Sequence, residues 1–229
     1  MPETCPTLRI VNPDPETKSV IQLGDADDPG TAARRRVAGA ARTLVDAIVS
    51  SGAPPEVLDE AVAVLEAQAA RLEPDGRTSR YDGTGGIRFD GGSNAAVFET
   101  HPILGPSNPM APPLVVEPVD GGAVGSVTYD HRFEGVPGCV QGGFLAAAFD
   151  VVLGRSASSA GLPAVTGTLT VRYRLPTPLH TELRFEGKLD RVEGRQVFCS
   201  ARVFAGDDLT AEADAVFVTV DRSRFRTAP

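Results

Sequence analysis

The stretch Gly135-Val-Pro-Gly-Cys-Val-Gln-Gly-Gly-Phe-Leu-Ala-Ala-Ala-Phe-Asp150 decides the fold. Its first half is a glycine-rich loop, and Gly142–Gly143 stand where that loop enters a helix. From Phe144 the run FLAAAFDVVLGRSASSA carries few polar residues, and a helix this apolar belongs inside the protein. Upstream, Leu114–Pro118 and Val124–Tyr129 read as two strands around Asp120-Gly121-Gly122, a hairpin signal. Downstream of Gly161-Leu162-Pro163 come four β-type stretches. Val165–Leu175 alternates, with Val165, Gly167, Leu169, Val171 and Tyr173 opposite Thr166, Thr168, Thr170, Arg172 and Arg174. Glu182–Val192, Gln196–Phe204 and Leu209–Val220 follow across short turns and predict an antiparallel meander. Two strands, a buried helix and four strands make an α+β arrangement in which one antiparallel sheet wraps a central helix.

The N-terminal third has a different pattern. Residues 1–29 are rich in Pro, Asp and Thr and read as an irregular leader with a short strand at Thr7–Val11. Val37, Ala40, Ala41, Leu44, Val45, Ile48 and Val49 then form one apolar stripe on a helix of about Thr31–Ser50, ended by Ser51–Gly52. Pro54–Pro55 suits the start of a second helix, where Leu58, Ala61, Val62, Leu65, Ala69 and Leu72 repeat the spacing up to Pro74-Asp75-Gly76. Two helices with so short a connection predict an antiparallel hairpin that packs on something else. The expected organisation is a leader and helical hairpin at 1–80, a linker or loop at 81–113 with short apolar pieces at Ala95–Phe98 and Ile103–Leu104, the sheet domain at 114–221, and a tail at 222–229.

Composition narrows the function classes. The 229 residues are 41% hydrophobic and 23% charged, which excludes a wholly disordered or fibrous chain. No apolar run reaches the roughly 18 residues of a membrane span, and the N-terminus lacks the basic-then-apolar order of a secretory signal. With 22 basic against 30 acidic residues, 6% aromatics and no Trp, a nucleic-acid partner is disfavoured. Cys5, Cys139 and Cys199 are too few and scattered for a disulfide framework, so a reducing, cytoplasmic setting is expected.

Chemistry concentrates in the quoted stretch. Glycine at a helix start lets a ligand approach the backbone closely. The first-turn N–H groups have no intrahelical partner and lie at the positive end of the helix dipole. A carbonyl oxygen gaining negative charge would be stabilised there. Two turns on, Asp150 stands among Phe149, Val151 and Val152, where a carboxylate is paired, hydrogen-bonded or functional.

The region from about Leu114 to Val220 resembles the hotdog-fold acyl-CoA thioesterases, in particular the phenylacetate-pathway group and related mammalian mitochondrial and cytosolic enzymes. That pattern runs His-Gly-Gly, six residues, Asp, then Ser or Thr at the start of the next strand, then a strand ending in Arg-x-Pro or similar. Here it reads Gln141-Gly142-Gly143, six residues, Asp150, then Thr166 in Val165-Thr-Gly-Thr-Leu-Thr-Val-Arg-Tyr-Arg-Leu-Pro176. Asp190-Arg-Val-Glu-Gly-Arg195 and Leu209-Thr-Ala-Glu-Ala-Asp-Ala-Val-Phe217 also match, and Asn108-Pro-Met-Ala-Pro-Pro-Leu114 is similar to bacterial members with an N-terminal extension. The resemblance implies that Asp150 activates water or attacks the thioester itself, that the Gly143 N–H polarises the carbonyl, and that the Thr166 hydroxyl holds the water or the carboxylate. It implies an acyl-CoA substrate, no metal or redox cofactor, and a homodimer or dimer of dimers with sites at the subunit interface. Gln141 departs from the usual His: its amide can donate to a carbonyl oxygen but cannot carry a proton charge. The alternatives are a catalytically weak acyl-CoA-binding or regulatory protein on the same scaffold, and a hydratase or dehydratase, which needs a His that this motif lacks.

Gly142, Thr168, Arg172 and Arg174 are the expected substrate-binding residues, the arginines as holders of coenzyme A phosphates, with Lys188, Arg191 and Arg195 near the next turn. The competing reading of those charges is a solvated strand face. Cys139 is a weak nucleophile candidate because no His in the motif activates it. His101, His131 and His180 are far apart in sequence and suggest no metal site.

Overall fold

The computed structural model describes residues 23–72, 81 and 94–220. The leader strand expected at Thr7–Val11, the helix stop at Pro74–Gly76 and the tail lie outside the described residues. Element order is α1 (Pro29–Val49), α2 (Pro55–Arg71), α3 (Ala95–Glu99), β1 (Val115–Val119), β2 (Gly122–Thr128), α4 (Gly142–Ala157), β3 (Ala164–Tyr173), β4 (Glu182–Glu193), β5 (Gln196–Ala205) and β6 (Asp208–Thr219). The strands form one six-stranded antiparallel sheet in the order β1-β2-β4-β5-β6-β3. The expected hairpin and meander are both present, and β3 closes the far edge against β6.

The sheet wraps α4. Leu145, Ala148, Phe149, Val152, Leu153, Ser156 and Ala157 are buried along one side of the helix. They meet the inward residues of the strands, such as Leu183, Phe185, Val203, Ala213 and Phe217. The Phe149 ring meets Phe185 edge-on at 5.2 Å. Close approach needs a missing side chain at Gly187 on β4, where a Cβ would stand 2.6 Å from Ser156 Oγ and 2.9 Å from Val152 Cγ1. At the helix C-terminus Gly161 adopts the left-handed conformation, φ +69°, after a single 3-10 turn.

The alternation read along β3 is interrupted. The register against β6 shifts between Thr166 and Thr168, so Gly167 is a bulge. Leu169, Val171 and Tyr173 pair with Ala215, Ala213 and Ala211, all buried on the helix side, whereas Thr168, Thr170 and Arg172 pair with Val216, Asp214 and Glu212 on the outer side. Thr166 pairs with the buried Phe217 and joins the helix side, while Val165 faces outward. Simple alternation had put Thr166 and Thr168 on one face; the extra residue separates them.

Residues 94–113 are a loop packed onto the sheet domain. Phe98, Leu104 and the adjoining Leu114 belong to the main core, and Val97 and Ala111 are buried. This loop also carries α1. Glu99, 5% exposed, accepts from both Arg35 Nε (2.7 Å) and Arg35 Nη2 (2.9 Å), from the Gly24 N–H (2.8 Å) and from the Ser107 hydroxyl (2.7 Å). Arg42 Nη1 donates to the carbonyls of Pro106 and Asn108.

The two N-terminal helices start and stop close to where their stripes predict, but they do not close into a packed hairpin. Val45, Ile48 and Val49 on α1 stay exposed, as do Leu58, Val62 and Leu65 on α2, which has no buried residue. The polar bonds to Glu99, Pro106 and Asn108, together with burial of Ala38, set the course of α1.

Candidate active site

Gln141 is the residue before α4, in extended conformation (φ −65°, ψ 129°), and its side-chain Oε1 accepts the Gly143 N–H at 2.7 Å. Satisfying one of the free N–H groups of the first turn is the ordinary office of a residue at this position. The expected carbonyl-polarising group is therefore engaged within the chain. Gly142 is held from the other side: its carbonyl accepts the Tyr173 hydroxyl at 2.7 Å, and a Cβ on Gly142 would meet that ring at 3.0 Å. Tyr173 had no role assigned from sequence, although the alternation of β3 already put it on the face of Leu169 and Val171.

Gln141, Gly142 and Tyr173 border a groove of about 470 Å³ whose walls are largely apolar, including Val136, Cys139, Leu145 and Leu175. The groove lies against the N-terminus of α4 and so combines an apolar channel with the positive end of a helix dipole. Cys139 stands in this wall, with its thiol 3.6 Å from the Pro137 carbonyl. Cys199 is buried beneath the sheet, where burial and the charge of Asp190 push its thiol up to about 12.

Asp150 lies two turns further along α4, half-exposed, and the Thr166 hydroxyl donates to its Oδ1 at 2.6 Å. The sequence signal for this pair was the residue spacing. Its geometric cause is the Gly167 bulge, which turns Thr166 onto the helix side. Asp150 does not line the groove at Gln141. Seven residues of helix separate Gly143 from Asp150, about 10 Å along the axis.

Thr168 and Arg172 lie on the opposite face of β3, away from α4, while Arg174, just past the end of β3, lines the groove beside Gln141 and Gly142. Arg172 is ion-paired with Asp214 and Arg174 with Glu212, and both pairs are substantially exposed. A shallow polar depression of about 540 Å³ crosses this outer face between Arg172, Glu186, Lys188, Arg202 and Asp214. Arg172 is thus part of a charge-paired, solvated strand face, whereas Arg174 borders the groove at Gln141.

The fold joins one pair that sequence distance conceals. The Nε2 atoms of His131 and His180 meet at 3.2 Å, and His131 Nδ1 lies 3.6 Å from Glu134 Oε2. His180 is the one non-glycine residue with positive φ (+55°) among the described residues. Among those residues no group of three or more His, Cys, Asp or Glu gathers as a metal cluster. Nor is any described helix long and apolar enough to cross a membrane.

This arrangement, a sheet wrapped on a helix that starts at Gly142–Gly143 and carries Asp150 against a strand hydroxyl, defines a hotdog protein with a thioesterase-type helix. A family model described as thioesterase superfamily matches residues 137–212, from the loop before α4 into β6. A crystal structure of a thioesterase-superfamily protein is 31% identical and covers 81% of this chain and 94% of that one, with a TM-score of 0.67. The chain belongs to the thioesterase superfamily. Acyl-coenzyme A thioesterase THEM4 of Mus musculus is 38% identical over 92 residues, 39% of this chain and 40% of that protein. The same enzyme of Bos taurus is 33% identical over 96 residues, 41% of this chain and 39% of that protein. The chain thus spans well under half the length of these curated relatives.

Proposed function

We propose that the protein hydrolyses acyl-CoA thioesters to a free acid and coenzyme A. Asp150 serves as general base toward water or attacks the thioester carbon itself, and the Gly143 N–H stabilises negative charge on the carbonyl oxygen. Thr166 fixes the carboxylate through its hydroxyl. The apolar groove beside Gln141 and Tyr173 suits the acyl part of the substrate, since burying methylenes there contributes about 0.8 kcal/mol each. The observation that carries this reading is the Thr166–Asp150 bond on a helix whose first turn opens at an apolar groove. The relatives named as acyl-CoA thioesterases support the choice of substrate class.

The working unit in this proposal is a homodimer or a dimer of dimers. The groove and Asp150 stand apart within one chain, about 10 Å along α4, which is more than one thioester group spans. Two antiparallel copies of α4 bring Gly143 of one chain toward Asp150 of the other. The outward side of the helix is built of small residues, Gly143, Ala146 and Ala147, and β3 is an edge strand open to pairing. A two-fold contact of this kind makes two equivalent sites. The free thiols of Cys139 and Cys199 support a reducing, cytoplasmic setting.

A panel of acyl-CoAs from acetyl to palmitoyl and aryl, assayed for thiol release, tests the reaction. Asp150→Asn should lower kcat by about 10²–10⁴ while leaving the thermal transition in place. Mixing Asp150→Asn chains with Gly143→Pro chains should restore about a quarter of the sites if subunits exchange statistically. An Asp150→Asn enzyme as fast as the parent removes the assigned role, and a monomer at micromolar concentration that still turns over substrate removes the shared site. A second reading, an acyl-CoA-binding protein with little turnover, draws on the Gly143 N–H already being taken by Gln141. Tight binding of acyl-CoA without thiol release would favour it.

A further inference from the structure

His131 and His180 stand where the pairing of β2 with β4 ends. Thr128 and Glu182 are the last paired residues, and the His180 N–H still donates to the Tyr129 carbonyl at 2.8 Å. Beyond this point the two segments run on as neighbours. The Leu179 N–H donates to the Gly138 carbonyl and the Val140 N–H to that of Thr177, where the segments become walls of the groove. Across the junction the imidazole Nε2 atoms are 3.2 Å apart, with ring centroids at 4.5 Å and planes at 68°. Two nitrogens that ligate one tetrahedral zinc at about 2.0–2.1 Å stand about 3.3–3.4 Å from each other. We propose that His131 and His180 form a two-histidine site for a divalent late transition ion, zinc foremost, which pins together the roots of the groove walls. The site does not depend on the thioesterase reading.

The surroundings suit a pair of ligands. Glu134 Oε1 accepts the Gly138 N–H at 2.6 Å, and its Oε2 faces His131 Nδ1 at 3.6 Å. That contact is longer than a hydrogen bond, and a small side-chain turn closes it. A carboxylate on Nδ1 draws the ring hydrogen there and leaves Nε2 bare, the outer-shell arrangement of metal-bound histidines. His180 presents its ring from a left-handed backbone, φ +55°, which is costly for any residue but glycine. Asp130 is taken by Arg132, whose Nε and Nη2 hold its oxygens, and this pairing neutralises the nearby guanidinium. Both rings are exposed, so the ion has a way in and water fills the remaining positions. Imidazole nitrogens select zinc, copper or nickel over magnesium and calcium.

Isothermal titration of the metal-free full chain with ZnCl2 in a non-chelating buffer tests the site, with NiCl2 as a second probe and MgCl2 as the control. One zinc per chain should bind with micromolar affinity, and magnesium should not bind. Zinc should raise the thermal midpoint and shift the Hε1 resonances of His131 and His180, leaving that of His101 in place. His131→Gln and His180→Asn should each weaken zinc binding about tenfold or more. Asn tolerates the left-handed backbone, so the second variant keeps the fold. Glu134→Gln should weaken binding less, because both ligands remain. A wild type that binds no zinc below millimolar concentration overturns the site and leaves the pair as a hydrogen bond. Zinc binding that survives both histidine substitutions also overturns it, since the ion then sits elsewhere. If a variant unfolds, the wild-type resonances decide: shifts at His131 and His180 uphold the site, and their absence at saturating zinc overturns it.

Discussion

Two helices of nearly equal length meet opposite fates in this molecule. α4, with 16 residues, has seven of them buried under the sheet; α2, with 17, has none. Both were recognisable as helices, and both carry apolar residues at regular spacing. The apolar character of α4 is spread around the helix and interrupted by glycine and alanine, and its broad buried side meets several strands of the sheet. The stripe of α2 is narrow, with acidic and small residues between, and its apolar side chains remain in water. Periodicity therefore identifies a helix without identifying its partner. Between the two lies α1, with an exposed stripe of its own and an anchorage that is mostly polar.

The contrast can be broken most severely at Phe149, which is fully buried against Phe185. Phe149→Ala should cost about 3–5 kcal/mol in unfolding free energy, measured by urea denaturation, because transfer and cavity costs add. A loss under 1 kcal/mol would mean that α4 is less tightly wrapped than its burial indicates.

The tie between α1 and the domain should give an intermediate, pH-dependent effect. Burial pushes the Glu99 carboxyl up, but hydrogen bonds from Arg35, Ser107 and the Gly24 N–H outweigh it and leave the group below its ordinary value. A lowered folded-state pKa means that the unfolded chain binds the proton more tightly. The stabilisation is then fully present above the ordinary glutamate range near 4.3 and is lost as pH falls through the lower folded value. Glu99→Gln should cost about 2 kcal/mol, the scale of hydrogen bonds to a charged group, and should raise proteolytic cutting in α1 at neutral pH. Loss of the wild-type protection on raising the pH from 4 to 7 would contradict the assignment.

The smallest effect belongs to α2. Leu65→Ala should shift the unfolding free energy by no more than about 0.5 kcal/mol, since the side chain is exposed. A cost above 2 kcal/mol would show that the stripe of α2 is covered in solution.

Most of the fold was legible because its signals are local: turn residues between strands, an apolar helix and a glycine pair at its start. The spacing Gly143 to Asp150 was legible for the same reason. What escaped depends on how strands register and how side chains turn. The bulge at Gly167 had a signal, since a lone glycine within a strand pattern marks such an irregularity, yet strict alternation concealed it. The Gln141 cap also had one, because it precedes the helix directly, but nothing local says which way its amide points. The bonds from Tyr173 to Gly142 and the meeting of His131 with His180 join residues 31 and 49 positions apart. The buried Glu99 hub depends on a helix 64 residues earlier in the chain. No pattern within a window reaches that far.

The bulge in β3 acts as a phase slip in a two-beat code. One added residue inverts inside and outside for everything on its N-terminal side and leaves the C-terminal side untouched. The hydroxyl of Thr166 goes inward to Asp150, and Val165, an apolar residue 40% exposed beside Val218, goes outward as the counterpart of the same inversion. The way Gly167 pairs consequently matters more than side-chain identity around it. A strand that paired Gly167 regularly, without the bulge, would keep every residue and still send the valine in and the threonine out.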